Sequence, residues 1–135
     1  MGPSAVALTG FAAWTLLLVL TIGLMRSYIV LAGQRKSAAF DPGGADISPF
    51  SERLCRAHAN CYETLPVFGA LVVIALISGR NEVTDGLAMF VLYARLGQSI
   101  VHLISTSPWM IRIRFAFYLV QWMLMAIIAW RLLMA

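Results

Sequence analysis

Arg53, Arg56, Asn60 and Glu63 are side chains that ordinarily avoid hydrocarbon, yet they recur at i, i+3, i+7 and i+10 in an otherwise apolar stretch. At 100° per residue they fall within an arc of roughly 80°, so a helix carrying them presents one polar line, with His58 nearly opposite. Arg95, Gln98, Ser99 and His102 form a second line within roughly 100°. Arg114, Tyr118 and Gln121 form a third within roughly 60°, while Arg112 points well away from it. Guanidinium groups gathered with one carboxylate, an amide and a phenol complement a small polyanion that also carries an ammonium. A peptide with two carboxylates and one amine has that charge pattern. If such a ligand carried a thiol, a neighbouring Arg would stabilise the thiolate and raise its fraction at neutral pH. Spacing by itself does not name the thiol.

The elements that must position these lines follow from composition. Of 135 residues, 61% are hydrophobic and 12% charged, against roughly 45–50% apolar and about 25% charged in a soluble domain. A water-soluble globule, a disordered chain and a coiled-coil rod are all excluded on that ground. The expectation is an all-α integral membrane four-helix bundle spanning 1–135 as a single membrane domain, because only helices satisfy their own backbone hydrogen bonds in lipid in a chain of this pattern. Four segments are long enough to cross about 30 Å of hydrocarbon. They run over about 5–32, 54–78, 85–105 and 109–134. The first connection is long and holds Asp41-Pro42-Gly43-Gly44, a strong turn signal. The second and third are tight, which makes their flanking helices antiparallel neighbours.

The net charge of +4 does not imply nucleic acid, because the basic residues are dispersed among apolar segments and build no basic face. Counting Lys and Arg by side, Arg35, Lys36, Arg53, Arg56, Arg112 and Arg114 belong to the first and third connections, and only Arg80 and Arg131 to the other end. Loops 1 and 3 are therefore expected to face the cytoplasm. Cys55 and Cys61 lie six apart and point roughly 120° from each other, so no disulfide is expected between them. No basic segment precedes the first apolar run, which reads as a retained helix rather than a cleaved signal.

Several of these residues have plainer readings. Arg53 at a helix entrance can simply be solvated, and Arg80 and Arg131 read as snorkelling anchors. Trp109, Trp122 and Trp130 read as interface or packing residues. Asn60 alone could join two helices, and Arg26 is expected to pair with a neighbouring helix. Glu63 and Arg95 could form an ion pair tying the second helix to the third. Three coincident lines favour a site, since stability alone would not need so many polar groups.

The run Glu52-Arg53-Leu54-Cys55-Arg56-Ala57-His58-Ala59-Asn60-Cys61-Tyr62-Glu63-Thr64-Leu65-Pro66-Val67-Phe68 resembles the signature of the MAPEG family, the membrane-associated proteins of eicosanoid and glutathione metabolism. Gly33-Gln34-Arg35 with Ala39-Phe40-Asp41-Pro42 looks like the family's first loop, and Ala94-Arg95-Leu96 like its third helix. The resemblance implies a homotrimer in which glutathione, the co-substrate, binds between subunits near the cytoplasmic face and meets a lipophilic small molecule arriving from the bilayer. It implies that Arg35 reaches a glutathione carboxylate or a substrate. Arg56, Asn60 and Glu63 would bind the peptide, with Glu63 taking its ammonium and also facing Arg95. Arg114 with Tyr118 matches the family's fourth-helix spacing, which makes Arg114 the expected thiolate stabiliser and Arg112 the fallback. Gln98 and His102 stand where several members carry His or Tyr and then Tyr, and Phe115 where some have Ser. A broad glutathione transferase or peroxidase is thus expected rather than a specialised eicosanoid synthase, with no metal. The implied location is a bacterial inner membrane or the endoplasmic reticulum. The rival readings are a small transporter or channel and a non-catalytic scaffold of the same fold.

Overall fold

The computed structural model describes residues 1–35 and 39–134; Lys36, counted above with the first connection, lies outside them. The chain forms α1 (Pro3–Leu31), α2 (Pro49–Ile77), a single turn α3 (Glu82–Asp85), α4 (Ala88–Ile104) and α5 (Pro108–Met134). α1, α2, the α3–α4 unit and α5 are each long and apolar enough to cross a membrane. This is a multi-pass membrane protein.

The helix ends follow local chemistry. Gly33 and Gly79 adopt φ of 72° and 70°, the left-handed geometry that costs a glycine nothing. At the end of α1, Gly33 N–H donates to Val30 and Gln34 N–H to Ile29; at the end of α2, Gly79 donates to Leu76 and Arg80 to Ala75. Both ends thus close with the paired reverse bonds that satisfy terminal carbonyls. At its start, α1 has no side-chain cap of its own. Asp85 of α3 supplies one from outside, accepting from the Ser4 backbone N–H at 3.2 Å and from its hydroxyl, so a carboxylate meets the positive end of the helix dipole.

Two boundaries differ from the sequence reading. α2 begins at Pro49, not near 54, because Ser48 accepts from Ser51 N–H at 3.0 Å and Pro49 takes the first helical position. That first turn is polar, so hydropathy missed it. The expected helix over 85–105 starts at Ala88 as α4, and the single turn α3 precedes it across Gly86-Leu87, mostly in residues read as connection. Arg80 is no free anchor either: it donates to the carbonyls of Leu132 and Arg131, capping the last turn of α5.

α4 is the hub. It packs against α1, α2 and α5, whereas α1 and α5 do not meet. Phe11 of α1 and Phe68 of α2 pack at 5.5 Å between ring centroids within a core that includes Ala7, Leu54, Cys61, Val72, Ala88 and Val91. Gly97 lets α5 approach closely, since a Cβ there would lie 2.8 Å from Phe117 Cζ. α5 buries only Gln121 and Ile128. Trp109, Trp122 and Trp130 are all exposed on it. Cys55 and Cys61 are buried free thiols.

Candidate functional site

Because α4 lies behind α2 and α5, its polar line is buried where the other two lines converge. Arg95, Gln98, Ser99 and His102 are all buried. Arg95, 1% exposed, donates from Nη2 to Thr64 Oγ1 at 2.7 Å and lies over the Phe11 ring at 5.5 Å. Gln98 Oε1 accepts from Gln121 Nε2 at 2.8 Å, and the same amide donates to the Phe117 carbonyl at 3.1 Å. Asn60 Nδ2 lies 3.4 Å from His102 Nδ1. With the amide donating, Nδ1 accepts and the ring proton resides on Nε2.

The ion pair that Glu63 and Arg95 could have formed is absent. Among the described residues the ion pairs are Arg35–Asp46 at 2.6 Å and Arg56–Glu52 at 3.0 Å. Thr64, one residue on from Glu63, takes the guanidinium instead. The Glu63 carboxylate, exposed, remains on the crevice wall. Several polar atoms shielded from solvent have no partner among the described residues: Arg95 Nε and Nη1, His102 Nε2, Arg114 Nε and Gln121 Oε1. Buried polar groups are nearly always satisfied, so a cluster of exceptions points to something that completes them.

Two adjoining crevices open between α2 and α5. One of about 300 Å³ is lined by Asn60, Gln98, Ile111, Arg114, Phe115 and Tyr118. The other, about 200 Å³, is lined by Glu63, Thr64, Val67, Arg95, Tyr118, Gln121, Trp122 and Met125. Tyr118 belongs to both walls and is their hinge point. Nearer the α2 start, Pro49, Glu52, Arg53, Arg56 and Thr106 border a smaller hollow of about 180 Å³. Arg53, Arg56 and Arg114 together bring positive charge to bear on His102. The arrangement sets guanidinium groups beside crevices whose walls mix polar side chains with Ile111, Phe115, Val67, Trp122 and Met125.

The profile of the MAPEG family matches residues 4–134, nearly the whole chain. The chain belongs to the MAPEG family. No curated protein and no solved structure matches it.

In this MAPEG chain the sequence-predicted residues separate into two places. Asn60, Glu63, Arg95, Gln98, Arg114 and Tyr118 line the crevices; His102 lies behind Asn60. Arg56 stands at the rim, paired with Glu52. Arg112 lies outside, its guanidinium 5.3 Å from the Trp109 ring. Arg35 is in the first connection, bound to Asp46 Oδ2 and to the carbonyls of Asp46 and Ala39 and stacked 4.8 Å from the Phe40 ring. That clamp, with the Asp41 N–H, holds the Asp46 carboxyl below the usual carboxylate range. Sequence reasoning passed over Thr64 as a site residue, although at 100° per residue it lies only about 20° beyond the Arg53 edge of that line. It also left out Trp122 and Met125, which as apolar residues on an apolar helix gave no signal.

Proposed function

We propose that this MAPEG chain is a membrane glutathione transferase or peroxidase that works as a homotrimer, with loops 1 and 3 on the cytoplasmic side. The observation that carries the reading is the cluster of unpartnered Arg95, His102, Arg114 and Gln121 atoms around adjoining crevices whose walls are part cationic and part apolar. Glutathione supplies a thiol nucleophile together with two carboxylates and an ammonium. Arg56 and Asn60 at the mouth suit a carboxylate and a peptide backbone, and the unpaired Glu63 suits the ammonium. Arg114, on the wall of the outer crevice, holds the sulfur as thiolate by placing a fixed positive charge beside it. Tyr118, Trp122 and Met125 bound the side from which a lipophilic electrophile or hydroperoxide enters.

Arg35 lies apart from Arg114 within one chain, so in this reading it serves the site of a neighbouring subunit. The alternative of a gated passage has lost its gate, since Glu63 and Arg95 form no ion pair. A thermal melt in detergent tests the proposal: glutathione that binds only the folded state must raise the melting temperature with concentration. A folded protein that neither shifts with glutathione nor turns over a chlorinated nitrobenzene would be a scaffold, and the enzyme reading would be withdrawn.

A further inference from the structure

A roomier groove lies away from that crevice. It occupies about 600 Å³ on the outer side of α1 beneath the first connection, bordered by Gly23, Arg26, Ser27, Val30, Leu31 and Phe40. Arg26 lies five residues before the last helical residue, Leu31, so its Cα sits about 7.5 Å along the axis inside the helix end. That is a depth from which a long cationic side chain reaches the headgroup region. One Nη of Arg26 donates to the Asp41 carbonyl at 3.1 Å and touches the Cys55 sulfur of α2 at 3.7 Å. Its Nε is shielded and has no partner among the described residues.

The charges around the groove are unevenly met. Phe40 lies between two guanidiniums, 5.4 Å from that of Arg26 and 4.8 Å from that of Arg35. Asp46 neutralises Arg35. No carboxylate among the described residues pairs with Arg26, and the groove wall contains no acidic residue. A cation held at the margin of hydrocarbon without a counter-ion is unfavourable. A free inorganic anion would satisfy Arg26 but leave Gly23, Val30 and Leu31 uncovered. A neutral lipid would cover those three and leave the charge.

We propose that this groove binds one anionic phospholipid, with its phosphate on Arg26 and Ser27 and an acyl chain along Gly23 and Val30. The inference needs only a membrane-spanning α1 and is independent of glutathione. It makes the lipid a tie between α1, the first connection and the start of α2, because Arg26 already touches Asp41 and Cys55.

The test is native mass spectrometry of the detergent-purified protein after equilibration with phosphatidylglycerol or phosphatidylcholine, with a thermal melt on each sample. Wild type is expected to retain phosphatidylglycerol over phosphatidylcholine by about fivefold, the worth of one Arg at an anionic headgroup. Arg26→Gln should abolish the preference, and Arg131→Gln at the other end of the bundle should keep it. Gly23→Leu provides a check independent of charge, since nothing lies within 4 Å of a Cβ added there. It should melt like wild type without lipid and lose retention of both phospholipids. Equal retention of the two lipids by wild type, or an undiminished preference in both groove variants, would overturn the proposal. So would stabilisation by glycerol phosphate equal to that by phosphatidylglycerol. Dissociation of the oligomer by Gly23→Leu would assign the groove to a second copy instead.

Discussion

Gln121 donates a buried hydrogen bond to Gln98 inside the cleft, and truncating Gln121 leaves the Gln98 oxygen without its donor. Gln121→Leu should therefore lower stability by about 0.5–2 kcal/mol, and adding Gln98→Leu should recover part of it; detergent-phase unfolding of the single and double variants measures the coupling. Arg114 and Arg112 are two residues apart with opposite surroundings. Arg114→Ala is expected to reduce turnover by about 10²-fold while the fold survives, as for loss of a charge-stabilising donor. Arg112→Ala, outside the crevice, should leave turnover nearly intact, and equal loss in both would remove Arg114 from its role. Asp46 gives a prediction in pH. Its folded-state pKa is depressed, so the stabilisation from the Arg35 clamp is present above the unfolded value of about 3.9 and is lost as pH falls through the lower folded value. Protease sensitivity of the first connection should rise over that acid range in wild type, and Asp46→Asn should be sensitive already at neutral pH.

At the level of elements, the α4–α5 contact depends on the absence of a side chain at Gly97. Gly97→Ala would drive a methyl against the Phe117 ring, and overpacking of this kind costs about 1–3 kcal/mol. Phe117→Leu should partly rescue it, whereas Gly10→Ala meets only the flexible end of Leu92 and should be milder. Melting temperatures of the three variants decide whether close helix approach is required. The same contact sets the crevice, because α5 carries Arg114, Tyr118 and Gln121 and is held mainly by α4. Helix existence and ends at Gly33 and Gly79 were legible because a left-handed residue is encoded locally. The Ser48 start was not, since its signal is a cap and the reading followed hydropathy. The turn α3 was missed because Glu82-Val83-Thr84-Asp85 is too short and too polar to show an apolar period.

For the whole molecule, the separation of Arg35 from Arg114 is the feature with the largest consequence. If a site takes Arg35 from one subunit and Arg114 from the next, co-assembly of Arg35→Ala with Arg114→Ala chains should restore sites that neither homo-oligomer has. Activity of the mixture above the mean of the two pure variants is the expected result, and native mass spectrometry should find three chains. Activity at that mean would confine each site to one chain.

Composition and periodicity by themselves determined four apolar helices and their polar lines, because the cost of placing a charge in lipid confines such residues to few positions and fixed spacings; the family was legible only through the resemblance carried by the Glu52–Phe68 run. They could not say which polar groups find partners. That was decided by the positions of the helix axes: α4 behind α2 and α5 gives Arg95 to Thr64 rather than Glu63, gives Gln98 to Gln121, and leaves Arg114 facing a cleft while Arg112 lies on a tryptophan. A helical wheel fixes the direction of a side chain, but what it meets there depends on a neighbouring helix whose distance and rotation are set by packing.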